Sequence, residues 1–313
     1  MNTHSTSTEA NTVYHSSVDS AVAPAVLPAT RIFYWSVRRE LWENRSIYIA
    51  PLAAAAVFLF AYLIGTIHLP AKIRALSGLD PDQQRHAIAM PYDFAAGLMM
   101  VTAMIVGVFY CLDALHGERR DRSILFWKSM PVSDAVTVLS KASIPLAVLP
   151  LLTIAITVAM QIIILLISSA VLAGNGLSVA NYWTQLSPFQ MSLGLTYHIL
   201  TVHLLGHAPF YAWMLLVSAW ARRAAILWAS LPLLAIGFVE KIAFNTSYFA
   251  NLLLHQLSGG SEAIATPGTM PIEPGMLFTP GHFLLSPGLW IGLSVTAAFL
   301  FAAIRLRRNR EPI

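Results

Sequence analysis

The stretch IYIAPLAAAAVFLFAYLIGTI, residues 47–67, decides the fold class of this chain. It contains no Asp, Glu, Lys or Arg, and its length matches the roughly 20 apolar residues that a helix needs to cross the hydrocarbon core of a bilayer. Backbone N–H and C=O groups cannot stay unpaired in hydrocarbon, so an α-helix is the default conformation of such a segment. Residues 47–67 are therefore predicted to form a transmembrane helix.

Five further apolar stretches follow along the chain. Hydrophobic residues make up 57% of the 313 positions and charged residues only 11%, whereas a soluble domain carries about 25% charged residues. A chain so poor in charge cannot cover a water-exposed surface, which excludes a soluble protein. The sequence predicts an all-α polytopic membrane protein with a six-helix transmembrane domain, residues 46–304, whose spans lie at 47–67, 94–115, 142–173, 195–220, 224–244 and 283–304.

The positions of Lys and Arg predict the orientation of these spans, because cytoplasmic loops are enriched in both residues. With the N-terminus in the cytoplasm, only Lys72, Arg74, Arg85 and Lys241 of the 19 Lys and Arg residues fall on the outer side. The opposite orientation would place most of the basic residues outside. Both termini are therefore predicted to be cytoplasmic, in a multi-pass protein of the inner (plasma) membrane.

An amphipathic helix is predicted over residues 30–45, directly before the first span. Phe33, Val37 and Leu41 recur every four residues, and Arg38 lies between them. A helix with one apolar and one basic face is typical of a segment that lies in the membrane interface. A short soluble helix packed on the protein is the alternative.

The remaining flanking segments are predicted from composition. Residues 1–29 carry no Lys or Arg and are rich in Ser and Thr. They lack the basic and apolar regions of a signal peptide and are predicted to be a disordered cytoplasmic tail. Residues 246–282, rich in Gly and Pro, are predicted to be a long outer loop. Residues 305–313 are predicted to be a basic cytoplasmic tail.

The inner connection between the second and third spans, residues 117–143, reads GERRDRSILFWKSMPVSDAVTVLSKAS. After the charged cluster and a short apolar run, Ser133 is placed to be the N-cap of a helix that runs through Lys141. A short, partly apolar helix on the inner membrane face is a poor solvent-exposed element, but it suits the groove of a partner protein. A solvated basic loop is the alternative, and it leaves the Pro131–Val132–Ser133 step unexplained.

Residues 117–141 resemble the corresponding segment of the ABC-2 family of transporter permeases. An interfacial helix, six spans, inner termini and a large outer loop before the last span are similar as well. The segment departs from the family at Arg122–Ser123, where Gly-Thr is usual. The elements that carry the resemblance are Glu118–Arg119, Ser123, Leu125, Pro131–Val132–Ser133 and Lys141.

The resemblance implies a permease subunit of an ATP-driven transporter, most often an exporter, and the apolar spans favour a hydrophobic or amphipathic substrate such as a drug, peptide or lipid. In that family this region is a coupling helix that docks onto a cytosolic ATPase subunit, and two permease copies, or one copy and a paralogue, form a dimer. Membrane lipid is the other expected partner, and nucleic acid is not expected. The coupling residues implied are Glu118, Arg119, Pro131, Val132, Ser133, Asp134 and Lys141.

The chain carries no nucleotide-binding motif of its own. A P-loop requires the Gly-Lys pair of G-x-x-x-x-G-K-[ST], and no Gly-Lys pair occurs in the sequence. Residues 257–261 read LSGGS, as in the signature of ABC ATPases, but they lie in the predicted outer loop. We therefore expect a non-catalytic subunit without a cofactor, with ATP and Mg²⁺ bound by a separate ATPase chain.

Polar side chains within the predicted spans have two interpretations: they connect helices by packing and hydrogen bonds, or they line a substrate path. His203 and His207 also have the i, i+4 spacing of two ligands of one metal ion. However, Leu204 occupies the position of the Glu in the HExxH motif, which excludes the zinc protease chemistry of that motif. Glu240, near the outer end of the fifth span, is a candidate outer gate. The candidate path residues are Thr153, Thr157, Gln161, His203 and His207.

Three other classes of function stay open. An ion-coupled secondary transporter commonly has buried acids at mid-membrane and internal inverted repeats, and the sequence shows neither. An intramembrane enzyme needs paired catalytic groups within the spans, and no such pair is found. A membrane immunity or assembly factor with the same fold is not distinguished from a transporter by the sequence.

Overall fold

The computed structural model describes residues 28–129, 132–258 and 285–309, and within these ranges the chain is helical and contains no β-strand. The predicted all-α class is confirmed. A 3₁₀ turn, Thr66–His68, joins the helices Ser46–Gly65 and Leu69–Leu76, and π-helical segments lie at Ile144–Val148 and Ile199–Gly206. The helices are α1 (Ala29–Glu43), α2 (Ser46–Gly65), α3 (Leu69–Leu76), α4 (Pro81–Ala114), α5 (His116–Arg120), α6 (Ser123–Ser129), α7 (Asp134–Ser143), α8 (Leu149–Gly174), α9 (Val179–Leu186), α10 (Pro188–His198), α11 (Ala208–Trp220), α12 (Ala225–Phe244), α13 (Tyr248–Ser258) and α14 (Pro287–Asn309).

Within the described ranges, five helical stretches are long and apolar enough to cross a membrane. The stretches Tyr182–Gly206 and Ala208–Trp220 pass the same test together and count as a sixth span if the bent pair crosses once. The chain is therefore an α-helical, membrane-embedded protein. The five continuous stretches are Ser46–Leu76, Pro81–Arg120, Asp134–Gly174, Ala225–Phe244 and Pro287–Asn309.

Three of these stretches are longer than the spans predicted from hydropathy by two or more helical turns. Pro81–Arg120 has 40 residues and Asp134–Gly174 has 41, which at ~1.5 Å per residue gives about 60 Å, twice the thickness of the hydrocarbon core. Hydropathy locates only the apolar centre of a helix, so the polar turns at its ends were not predicted. The additional turns at the start of the third stretch include α7 of the inner connection, so α7 is continuous with the third span.

The inner half of the bundle packs around α11, which contacts α14 and α4. Tyr211 and Leu215 on α11 belong to a buried apolar cluster that also contains Ile47 on α2. Gly107 on α4 allows the closest approach, because a Cβ atom at this position would lie 2.8 Å from Cε1 of Tyr211. A second buried cluster includes Tyr92.

The fourth span differs from the straight helix predicted over residues 195–220. A π-helical segment, Ile199–Gly206, ends at a break before α11, and the two parts meet at 40°. Pro209 lies in the first turn of α11. It has no N–H to donate to the preceding turn, so the hydrogen bonds of the π-helical segment cannot continue through it into α11. The other π-helical segment, Ile144–Val148 in the third span, contacts this one, so the two irregular segments lie side by side.

The segments outside the spans are described in part. The amphipathic segment forms α1, Ala29–Glu43, and packs against α7. Residues 1–27 of the predicted tail lie outside the described residues, as do 259–284 of the predicted outer loop, whose residues 248–258 form α13. Residues 305–309, predicted as the start of a basic tail, continue α14 as helix.

Candidate functional site

The inner connection folds as three short helices, α5 to α7. The chain turns between α5 and α6 at Arg122, which has a φ of 57° in the left-handed region. The Oγ atom of Ser133 accepts a hydrogen bond from the Val136 N–H at 3.2 Å and caps α7. The predicted N-cap is therefore confirmed. Pro131, one of the predicted coupling residues, lies outside the described residues.

Charged side chains meet where α1, α5, α7 and α14 converge. Lys141 on α7 lies at the centre, with its Nζ atom 2.9 Å from Glu40 Oε1 and 3.2 Å from Glu118 Oε1. The side chain of Lys141 is only 4% exposed, and that of Glu40 only 1%. We call the following six residues the inner ion cluster: Arg39, Glu40, Glu118, Asp134, Lys141 and Arg307.

The last helix joins this cluster through Arg307. One nitrogen of its guanidinium group lies 3.1 Å from Glu118 Oε2, and another donates to the Asp134 carboxylate. The side chain of Arg307 is 3% exposed. A residue predicted to be part of a solvated tail therefore connects the C-terminal helix to α5 and α7.

Three acids and three bases balance within the cluster. A buried charge is tolerated when opposite charges and hydrogen bonds surround it. Burial alone would raise the pKa of Glu40, but Lys141 and Arg39 outweigh burial and hold this pKa below its ordinary value. The Tyr110 hydroxyl also donates to Glu40 Oε2 at 2.9 Å. Glu40 is therefore held ionised as the link between α1 and the spans.

A second set of contacts fixes α5 to the end of α11. Arg119 donates to the carbonyl oxygens of Ala219 and Ala221 at 2.9 and 3.1 Å, which are among the carbonyls that lack partners at a helix C-terminus. The hydroxyl oxygen of Ser218 accepts hydrogen bonds from the backbone N–H groups of Leu115 and His116 at 3.0 and 2.8 Å. Residues 115–119 are therefore anchored to the fourth span.

The opposite side of the inner connection exposes apolar side chains. On α6, Ile124 is 1% exposed and packs inward, whereas Leu125 and Phe126 are 57% and 60% exposed. We call Leu125 and Phe126 the apolar ridge. A ridge of large apolar side chains next to a polar rim is a feature of surfaces that bind another protein or a membrane.

The predicted coupling residues that the structure describes divide between internal contacts and more exposed positions. Glu118, Arg119, Asp134 and Lys141 form internal contacts. Ser133 is exposed and Val132 is half-buried. The roles of Glu40, Arg39, Arg307 and Tyr110 were not predicted from the sequence. In the sequence, these residues stand out only because each is charged or carries a hydroxyl group near the inner end of an apolar segment.

The predicted path residues of the third span line the interior of the bundle. The Thr153 hydroxyl donates to the Leu149 carbonyl within its own helix at 2.7 Å. Among the described residues, Thr157 Oγ1 and Gln161 Oε1 are buried without a hydrogen-bond partner. Gln161 and Tyr92 line a cavity of about 20 Å³, which is about the space for one water molecule. The cavity itself is therefore small.

His203 and His207 are brought together at the bend of the fourth span. Both are buried, and their ring centroids lie 4.7 Å apart, edge to face. In the part of the chain that is described, no group of three or more His, Cys, Asp and Glu side chains could hold a metal ion. The two imidazole rings therefore pack against each other beside the break in the fourth span.

Glu240 has a structural contact at the outer end of the fifth span. Its carboxylate accepts hydrogen bonds from the backbone N–H groups of Tyr248 and Phe249 at 2.6 and 2.8 Å, and from the Thr246 hydroxyl at 2.9 Å. The first N–H groups of a helix have no partner within it. Glu240 therefore caps α13, and its role as an outer gate stays a prediction.

The described geometry combines a rigid, charge-paired inner end with an exposed apolar ridge. It brings four helices from distant parts of the sequence to one point below the spans. Comparison of the chain with protein-family models, with curated proteins and with solved structures gives no match in any of the three.

Proposed function

We propose that this chain is the permease subunit of an ABC-2 type ATP-driven transporter. The observation that carries the proposal is the apolar ridge, Leu125 and Phe126, on a short helix whose neighbours are fixed by the inner ion cluster. The resemblance of residues 117–141 to the coupling segment of that family adds the identity of the partner, a cytosolic ATPase subunit.

The ridge has the chemistry expected of a docking element. Burying a Leu or Phe side chain contributes ~1.5–3 kcal/mol, so two such side chains can anchor a contact in a hydrophobic groove. The polar residues Asp121, Arg122 and Ser129 are exposed around the ridge, as in the rim of a protein interface.

The ion pairs of the inner ion cluster connect the docking element to the spans. Glu118 joins α5 to α7 and α14, and α7 continues into the third span. A displacement of α5 and α6 would therefore move several helices together rather than one loop. ATP binding and hydrolysis in the partner would shift the permease between states by favouring one position of this unit.

The other parts of the proposal follow from the family resemblance and from composition. ATP and Mg²⁺ bind to the partner chain, and this chain performs no catalysis. The substrate is hydrophobic or amphipathic and is exported across the inner membrane by a dimer of permease subunits. Thr157, Gln161, His203 and His207 are the candidate path residues within the bundle.

The test is association of the full chain, in detergent or nanodiscs, with a candidate cytosolic ATPase subunit of the ABC type. We expect Leu125→Glu and Phe126→Glu each to weaken the association at least about tenfold, since truncating or charging an interface anchor costs ~2 kcal/mol or more. Leu79→Glu is the matched control, because Leu79 is 45% exposed in the predicted outer turn. Association that survives all three changes equally would overturn the docking assignment.

A further inference from the structure

Helix α1 carries a cation that contacts two aromatic rings. The guanidinium carbon of Arg38 lies 5.0 Å from the ring centroid of Trp35 and 4.6 Å from that of Trp42. Trp35 precedes Arg38 by three positions and Trp42 follows it by four, so the guanidinium group lies between two indoles on one side of the helix. Each contact is a cation–π interaction.

The neighbouring arginine has a different environment. Arg39 forms ion pairs with Glu40, Glu43 and Glu118 and belongs to the inner ion cluster. Arg38 forms no ion pair with a carboxylate of the described residues. Arg39 is therefore neutralised by carboxylates of the protein. Arg38, one position earlier, faces its surroundings without a counter-charge among the described residues.

The amphipathic pattern of α1 predicts that those surroundings are the membrane interface. Trp35 is 50% exposed and Trp42 is 63% exposed, and Tyr34 beside them is 58% exposed. Exposed Trp and Tyr side chains are enriched at headgroup depth. The inner leaflet carries anionic lipids and a negative surface potential.

Stacking prepares Arg38 to bind a phosphate group. The faces of a guanidinium group interact with aromatic rings, while its N–H donors point outward in the plane and match two oxygens of a phosphate. Two indoles limit the rotamers of the side chain, so less conformational entropy is lost when a ligand binds.

We propose that Arg38, held between Trp35 and Trp42, binds the phosphate group of an anionic phospholipid of the inner leaflet. The phospholipid is the occupant rather than free phosphate, because the exposed indoles provide an apolar surface for the adjoining acyl chains. This site is separate from the apolar ridge, and it does not depend on the identity of the transported substrate.

The experiment measures binding of phosphatidylglycerol and phosphatidylcholine to the purified full chain by native mass spectrometry over a lipid titration. The decisive variant is Arg38→Lys, which keeps the positive charge but loses the planar fork. We expect it to weaken phosphatidylglycerol binding about tenfold. Arg31→Lys is the matched control, because Arg31 lies exposed on the same helix, and we expect a change of less than about twofold.

Two further arms separate the possible outcomes. Phosphatidylcholine should bind more weakly than phosphatidylglycerol, because its choline cation offsets the charge of its phosphate group. Glycerol phosphate, which has no acyl chains, should displace phosphatidylglycerol poorly. The proposal is overturned if Arg38→Lys binds phosphatidylglycerol like the parent chain, if the two lysine variants lose binding equally, or if glycerol phosphate binds as tightly as the lipid.

Discussion

Replacing Lys141 by Met is expected to destabilise the protein more than any single change on its surface. The Nζ atom lies 2.9 and 3.2 Å from the carboxylates of Glu40 and Glu118. At an effective dielectric constant of ~20, a unit charge about 3 Å away contributes ~5 kcal/mol before desolvation. Methionine keeps the length of the side chain but leaves three acids facing two bases. Removing one partner of a buried ion pair costs ~3–5 kcal/mol, and we expect that loss of unfolding free energy.

The assay is equilibrium unfolding of the purified chain in mixed micelles. Lys72→Met is the control, because Lys72 is exposed on α3 and should change the free energy of unfolding by less than ~0.5 kcal/mol. Adding Glu40→Gln to Lys141→Met should recover part of the loss, with a coupling energy of ~0.5–3 kcal/mol between the two sites. If Lys141→Met is as stable as Lys72→Met, the inner ion cluster does not hold these helices together.

Three further predictions concern other contacts. Gly107→Ala should lower the free energy of unfolding by ~1–3 kcal/mol, since the new methyl group would lie 2.8 Å from the ring of Tyr211. Glu240→Ala should speed amide hydrogen exchange at the start of α13, which begins at Tyr248 and loses its cap. Acid should destabilise the protein through Glu40: because its pKa in the folded state lies below 4.5, its stabilising contribution is complete above that pH and is lost as the pH falls below it.

For each of these predictions, a specific result would contradict it. Gly65→Ala, where a Cβ atom meets nothing within 4 Å, is the control for Gly107→Ala, and equal stability of the two variants would refute the close helix contact. Unchanged exchange in α13 would show that Glu240 is not its cap. For the acid prediction, Glu40→Gln should reduce the slope of stability against pH below pH 4.5, and an unchanged slope would contradict it.

The features that could be predicted from the sequence are those set by local chemistry. An apolar run such as residues 47–67 predicts a span because hydrocarbon tolerates only paired backbone groups. Ser133 predicted a helix start because its hydroxyl can satisfy a free N–H group of the first turn. The apolar residues of α6 could be recognised from the sequence. Which of them face inward could not be predicted, because Ile124 and Leu125 are similar apolar side chains and only their tertiary contacts make one buried and the other exposed.

The ion cluster could not be predicted, because its members come from distant parts of the chain. Glu40 and Lys141 are separated by 101 positions, and Glu118 and Arg307 by 189. Hydropathy and charge counts assigned Arg307 to a solvated tail, since they contain no information on tertiary contacts. The bend at His207 was missed for a related reason: an apolar window records composition, and a π-helical segment leaves composition unchanged.

We propose that residues 117–143 couple the spans to a cytosolic ATPase. The most direct measurement is the rate of ATP hydrolysis by that ATPase, alone and with the full chain reconstituted in liposomes. We predict that the chain changes this rate, that Phe126→Glu abolishes the change, and that Leu79→Glu leaves it intact. A hydrolysis rate that is the same with and without the chain, or a chain effect that Phe126→Glu leaves intact, would contradict the claim.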